Sequence, residues 1–269
     1  MTEGSKTQAI PGQDLVKFLG TAGARFVVAR QLRYSAGAYL CLGGQHIILD
    51  PGPGTLLRCA ASRPPVDVTH LDAVILTHAH IDHSGDVNIL LDAMTAGGME
   101  KRGALFAPTE CLEGANSVLL NYLREFPERV VTLKAETDYE LAGVRFSTSV
   151  RHHHAAETYG IKFHRPSGDL SFLVDTAYFE GLADSYKGSD ILVVNVVRKD
   201  PHRSPDVLHL TLEDAERLIA AVHPRRAVLT HFGMTMLKAR PRDLAQEMAQ
   251  RLGIQVIAAS DGMTLELDG

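Results

Sequence analysis

THAHIDHSGD, residues 77–86, places His78, His80, Asp82 and His83 within six consecutive positions, directly after the apolar run DAVIL at 72–76. Neutral imidazole nitrogens and a carboxylate oxygen are the donors that zinc and comparable divalent ions prefer, and catalytic sites of this kind keep one coordination position open. Positions 78, 80 and 83 share neither a strand face nor a helix face, so a loop has to fold them inward. With 13 histidines in 269 residues, an HxHxDH run arises by chance in roughly two such chains in a thousand. DAVIL suits a buried strand, and Ser84 is placed to cap a helix over 85–94. The candidate ligands then lie between a strand's carboxyl end and a helix's start.

Four donors from one loop seldom close two coordination spheres, so the rest of the chain matters. RHHHAAETYG, residues 151–160, clusters three histidines where a strand ends; alone, such a cluster is as often a solvated loop. Asp175 directly follows the apolar LSFLV, although an isolated strand-end aspartate usually caps or turns the chain. His231 follows the apolar AVLT, where the plain alternative is a hydrogen-bonded core histidine.

The composition allows one well-packed α/β unit, because 45% of the residues are hydrophobic and a chain of this length holds one large domain or two joined halves. No apolar run nears the ~20 residues that cross a bilayer, and MTEGSKTQAIPGQD lacks a charged-then-apolar export signal; the expected location is cytoplasmic, with no membrane partner. Cys41, Cys59 and Cys111 are widely spaced and read as core thiols. A net charge of -5 argues against broad nucleic-acid binding, which favours a basic surface.

Punctuation divides the chain into two similar halves, 1–128 and 129–269, forming a single domain. Strands are expected at 15–20, 38–42 and 46–50, with Gly43-Gly44 as a hairpin turn, and helices at 54–61 and 109–124. The second half opens with strands at 129–133, 139–141, 144–150, 160–164 and 170–174, the last two joined through Ser167 and Gly168. A strand at 191–197, a helix at 212–222, a strand at 227–230, a helix at 241–252 and closing strands complete it. Hairpins interleaved with single helices predict two mixed sheets packed face to face, with helices on the outside: a four-layer αββα sandwich in the α/β (α+β) class.

Taken together, FLGTAG at 18–23, ILDPGPG at 48–54, the HxHxDH run, then a histidine, an aspartate and a final histidine resemble the metallo-β-lactamase fold superfamily along nearly the whole chain. Within it, Asp175, the opening FLGTAG, and Arg33 and Ser35 resemble the ribonuclease Z branch and the neighbouring phosphonate-pathway cyclic phosphodiesterases. His154 stands at the family's interval before Tyr159-Gly160, which His152 and His153 fit less well. The resemblance implies that His78, His80 and His154 hold one divalent ion, that Asp82, His83 and His231 hold a second, and that Asp175 bridges them. Zinc is the implied metal, with manganese or iron suited to the same donors. Asp50 is implied to support the site by hydrogen bonding and is not counted as a ligand.

The implied activity is hydrolysis of a small or cyclic phosphodiester by hydroxide bridging the two ions, with Asp82 and His209 as catalytic residues. His209 stands just before the expected helix 212–222, where relatives place a histidine that assists the leaving oxygen; the plain reading makes it a residue before the Thr211 cap. Ribonuclease Z has a glutamate where this chain has Asn195, and no Gly- and Pro-rich arm interrupts the sequence, so the resemblance of residues 191–232 is closer to the small-substrate enzymes. VRKDPHRSP, residues 197–205, carries Arg198, Lys199, His202 and Arg203; Arg198 and Arg203 are candidates to grip phosphate, against the plain reading of a solvated loop. The expected partner is a small phosphodiester, with RNA as an alternative and a homodimer open to the chain. Thioester or lactone hydrolysis and a non-catalytic metal- or nucleotide-binding protein are the rival readings.

Overall fold

A computed structural model describes residues 13–268 apart from Ala36 and Pro205. Most of the amino-terminal stretch read for an export signal, and Pro205 at the end of the cationic loop, therefore lie outside the described residues.

Fourteen strands are described: β1 (Leu15–Phe18), β2 (Ala38–Leu42), β3 (Gln45–Leu49), β4 (Ala73–Ile75), β5 (Ala104–Pro108), β6 (Arg129–Leu133), β7 (Asp138–Leu141), β8 (Val144–Arg151), β9 (Tyr159–His164), β10 (Asp169–Leu173), β11 (Ser189–Asn195), β12 (Arg226–Thr230), β13 (Gln255–Ala258) and β14 (Thr264–Glu266). They form two seven-stranded mixed sheets, ordered β14-β1-β2-β3-β4-β5-β6 and β13-β12-β11-β10-β9-β8-β7. In the first sheet β14 through β3 pair antiparallel and β3 through β6 parallel. The second sheet has the same plan, with β10 through β13 parallel and β7 through β10 antiparallel. β6, which opens the second half of the sequence, completes the first sheet, and β14 returns from the chain's end to its other edge.

Why these runs become strands is visible in what each buries. Alternate residues such as Leu40, Ile47, Ile75, Phe106, Phe146, Phe163 and Val193 meet in one apolar layer between the sheets. The opposite residues of the same strands, including Ile48, Val74 and Leu105 in one sheet and Leu192, Val194 and Leu229 in the other, pack under the outer helices. Strands buried on both faces read as continuous apolar runs, which is why they are legible. Between β2 and β3, Gly43 and Gly44 both take positive φ, as a two-residue hairpin turn requires. The three cysteines are buried and free. Among the described residues no helix is long and apolar enough to cross a membrane.

Two local expectations are corrected. The helix expected over 109–124 is only Thr109–Leu112, followed by a 3-10 turn at Asn121–Leu123. Gly114 adopts φ +82 directly after an extended Glu113, and the Ser117 hydroxyl donates to the Cys111 and Leu112 carbonyls in place of continued helix. Ser84 caps nothing: it ends the helix Ile81–Ser84, and its hydroxyl donates back to the carbonyls of Ala79 and His80. The helices Ala24–Ala29 and Met234–Lys238 carried no sequence signal that separated them from loop; the first has neither a capping side chain nor acidic residues in its first turn. By contrast, the helix Leu212–Val222 begins at a capping box between Thr211 and Asp214, as the sequence reading placed it.

Candidate metal centre

The candidate donors gather from the carboxyl ends of strands in both sheets, the end at which open α/β sheets usually offer their sites. β4 leads into His78, His80, Asp82 and His83; β8 into His154; β10 into Asp175; β12 into His231. Strand register sets their neighbours. Leu49 opposite Ile75 puts Asp50 beside Thr77, whereas Leu173 opposite Val194 and Asn195 opposite Thr230 put Asn195 between Asp175 and His231. Asp50 and His231 both hold left-handed backbone, φ +52 and +59, a costly conformation for residues with side chains that turns each away from its strand's path.

Two trios result. His78, His80 and His154 each offer a donor atom within 4.8 Å of the others, and Asp82, His83 and His231 do the same. His80 Nδ1 lies 3.0 Å from His154 Nε2, and His83 Nε2 lies 2.9 Å from His231 Nε2. Asp175 sits beside the second trio, its oxygens 3.7 Å from His83 Nε2 and 3.4 Å from His231 Nδ1. Asp50 also meets His78 and His83 within 4.8 Å, but its oxygens are already engaged. Oδ1 accepts from the Thr77 amide, and Oδ2 accepts from the Thr77 hydroxyl and from His83 Nδ1.

The outer partners fix which nitrogens face inward. A carbonyl only accepts, so His154 Nδ1 at 3.1 Å from the Leu208 oxygen carries the proton and Nε2 keeps its lone pair. His83 Nδ1, on the Asp50 carboxylate, likewise points Nε2 into the centre. Lone pairs that confront one another at about 3 Å repel unless a cation or a proton lies among them. His78 is fully buried and, among the described residues, neither its Nε2 nor His231 Nδ1 has a hydrogen-bond partner. Orphaned buried nitrogens among converging donors fit a metal ion.

The electrostatics agree. Burial holds His78 well below the ordinary imidazole range, and burial also lowers His80 and His154, keeping these three neutral as ligation requires. Burial opposes charge on His83 too, yet the surrounding carboxylates of Asp50, Asp175 and Asp82 outweigh it and raise His83 well above that range. Asp82 and Asp175 are held below the usual carboxylate range against burial, by the His231 bond and His83 for Asp82, and by His231 and His209 for Asp175. The pocket draws positive charge toward itself.

The other sequence candidates separate cleanly. His209, half-buried, brings Nδ1 within 3.5 Å of Asp175 Oδ2 and has no hydrogen-bond partner there. Asn195 donates from Nδ2 to Asp175 Oδ1 at 2.9 Å. His153 is exposed and stacks on Phe179, away from the donors. His152 is buried below the centre, with Nδ1 donating to the Asp175 carbonyl and Nε2 meeting the Tyr186 hydroxyl at 2.8 Å. Arg198 is half-buried and donates to the Asp200 carbonyl, Lys199 pairs with Asp200, His202 bonds Ser204, and Arg203 is exposed. Arg33 donates to the Thr21 hydroxyl and Ser35 to the Pro53 carbonyl, tying the 18–23 and 48–54 segments together. Sequence reasoning missed Thr77, the Leu208 carbonyl, and the clasp in which Glu110 and Glu157 each accept the other's backbone amide beside the His154 loop. None carries a local signal.

The family model for the beta-lactamase superfamily domain matches residues 45–232, which run from β3 through the metal loop to just past His231. The chain belongs to the beta-lactamase superfamily. Its architecture is that of the metallo-β-lactamase fold protein YhfI from Bacillus subtilis, with a TM-score of 0.77 at 17% identity over 95% of this chain and 100% of that one. In sequence it is similar to the uncharacterized protein MJ1374 of Methanocaldococcus jannaschii, 29% identical over 93% of this chain and 94% of the relative. It is also similar to a ribonuclease Z of Mycolicibacterium paratuberculosis, 26% identical over 71% of this chain and 76% of the relative. The αββα architecture expected from the sequence is the one observed.

Proposed function

We propose that the protein is a metal-dependent hydrolase of phosphodiesters, small or cyclic in preference to polymeric, with two divalent ions held by the two trios and shared through Asp175. The observation that carries this reading is the pair of donor trios with a buried carboxylate, Asp175, beside the second, and His209 Nδ1 3.5 Å from that carboxylate. Bound ions would supply Lewis acidity, polarising phosphoryl oxygens and making water acidic enough to attack at neutral pH. Zinc suits the donors, and manganese or iron would fit the same set.

The chain's own groups divide the remaining work. Asn195 occupies Asp175 Oδ1, which leaves Oδ2 as the oxygen directed toward His83 and His209. Asp82 orients within its trio through His231, 3.5 Å away. His209, protonated, would deliver its proton to the departing oxygen, and Asp175 Oδ2 would hold the imidazolium in place. Arg198 and Arg203 would add positive charge that attracts an anionic diester.

A side-by-side comparison on metal-loaded protein tests the reaction class, using bis(p-nitrophenyl) phosphate, a thioester and a lactone. The diester should be favoured in kcat/KM by at least about a hundredfold; a faster thioester or lactone overturns the phosphodiesterase reading and keeps the metal centre. The ribonuclease relative favours a second reading, cleavage of RNA. Gel analysis of a single-stranded RNA separates the two, since an RNase cuts internally at concentrations where small diesters compete poorly.

A further inference from the structure

The wall of the centre beyond His231 is built around a notch that none of the donors uses. Gly23, Phe26, Val27, Val197, Arg198 and Met234 line it. Two glycines keep the backbones close here: a Cβ on Gly23 would lie 2.1 Å from the His231 carbonyl oxygen, and one on Gly233 would lie 2.3 Å from that of Val197. The notch therefore abuts a candidate metal ligand directly. Arg198 also pairs with the segment of His209, its amide donating to the Leu210 carbonyl and its backbone bridging to Thr211.

Two side chains at this notch are placed unusually. Phe26 is 63% exposed although the next residue, Val27, is fully buried. Arg198 is half-buried, and its one side-chain bond among the described residues runs from Nε to a carbonyl, with no carboxylate within pairing distance. A phenyl ring and a guanidinium with no carboxylate partner among the described residues both line this notch, beside the apolar Val27, Val197 and Met234. Flat aromatic groups stack on both kinds of face, and a guanidinium can stack while its edge still donates to phosphate oxygens.

We infer that this notch is a substrate subsite for an aromatic ring carried on the phosphodiester, with Phe26 and Arg198 as its walls. The inference rests on the phosphodiesterase reading for the position of the phosphorus, because a diester centred between His231 and His209 would project one substituent between these two walls. Its occupant is a planar aromatic substituent, either a nucleobase or a simpler aryl group. Aliphatic substituents gain little from stacking and sit there weakly.

The sequence contains no tryptophan, so a Phe26→Trp variant of the full metal-loaded chain carries a single indole reporter at the notch. Adenosine 5′-monophosphate and phenyl phosphate should change its emission saturably, while ribose 5-phosphate and inorganic phosphate should not. The order of the two ring-bearing probes distinguishes nucleobase from simple aryl. Equal responses to all four probes overturn the subsite. In turnover, phenyl p-nitrophenyl phosphate and methyl p-nitrophenyl phosphate share a leaving group and differ only in the ring. Relative to their uncatalysed rates, the phenyl ester should be favoured on the order of tenfold in kcat/KM, and Phe26→Ala and Arg198→Ala should each collapse that relative preference toward one. A ratio untouched by both substitutions sinks the inference even if the diesters are good substrates. If neither diester turns over, the phosphodiesterase reading fails, and the emission experiment still decides whether the notch binds rings.

Discussion

His83 directs Nδ1 at Asp50 Oδ2, 2.9 Å away, and this bond turns its Nε2 toward the Nε2 of His231 at the same separation. Asp50 is thereby the residue that orients His83 without needing to touch an ion. Asp50→Ala should lower metal affinity roughly 10- to 100-fold, the usual effect of removing an outer partner of a ligating histidine. It also leaves the buried Thr77 amide without its acceptor, at a cost of about 1–3 kcal/mol. Competition with a chromophoric chelator measures the first and urea denaturation the second. Unchanged metal affinity in a folded variant would mean that His83 is oriented by something else.

His209 makes a different demand, because it lies 3.5 Å from Asp175 Oδ2 and belongs to neither trio. His209→Ala should therefore retain full metal content by elemental analysis. Its kcat should fall by about 10²–10⁴ on diesters with alkoxide leaving groups, which need a proton, and far less on p-nitrophenyl esters, which do not. Equal losses on both substrate types would assign His209 to binding and not to proton delivery.

The sequence carried the motif and the positions of the strands far better than the connections, and the reason is locality. Apolar runs such as ILVVN and RAVLT become strands wherever they are buried on both faces. The donors that follow them inherit strand-end positions without further information. The helix Thr55–Ala61, however, receives its amino-terminal partner from Asp86, which accepts the amides of Gly54 and Leu56 from some thirty residues away. No window around either segment contains that pairing. Similarly, His152 and His154 differ by two positions in one histidine cluster; the family interval singles out His154, and the packing against Tyr186 makes His152 a strut while Leu208 holds the candidate ligand.

That strut makes a pH prediction. Burial brings His152 down from 6.5 to about 4, so the unfolded chain takes up a proton at a pH where the folded chain does not. Its contribution to stability is complete above pH 6.5 and declines as the pH falls toward 4, where it is lost, amounting to about 3 kcal/mol. Urea denaturation of metal-free protein between pH 7 and 4 should show this fall. In His152→Gln, which cannot titrate, that share of the slope should disappear; the same slope in the variant would place the proton uptake on another group.

Gly23 offers the sharpest test of how the second trio is held. Its amide donates to the Phe232 carbonyl, the Phe232 amide donates to Thr21, and Ala22 bridges to Phe232, so the FLGTAG segment is zipped to the residues around His231. At φ -122 the Gly23 backbone is open to any residue, and only the collision of a Cβ with His231 forbids one: 2.1 Å to its carbonyl oxygen and 2.6 Å to Nδ1. On the proposed two-ion reading, Gly23→Ala should displace His231 and reduce the bound metal from two ions to one, with overpacking destabilising the fold by roughly 1–3 kcal/mol. Gly44→Ala is the matched comparison, because Gly44 sits at φ +81 with nothing within 4 Å of a new Cβ. It should cost about 1–2 kcal/mol through backbone strain while keeping both ions. Because the two variants are destabilised to a similar degree, a difference in metal content reports the local collision and not the loss of stability. Two bound ions in Gly23→Ala would show that His231 can retreat from the glycine without leaving the centre.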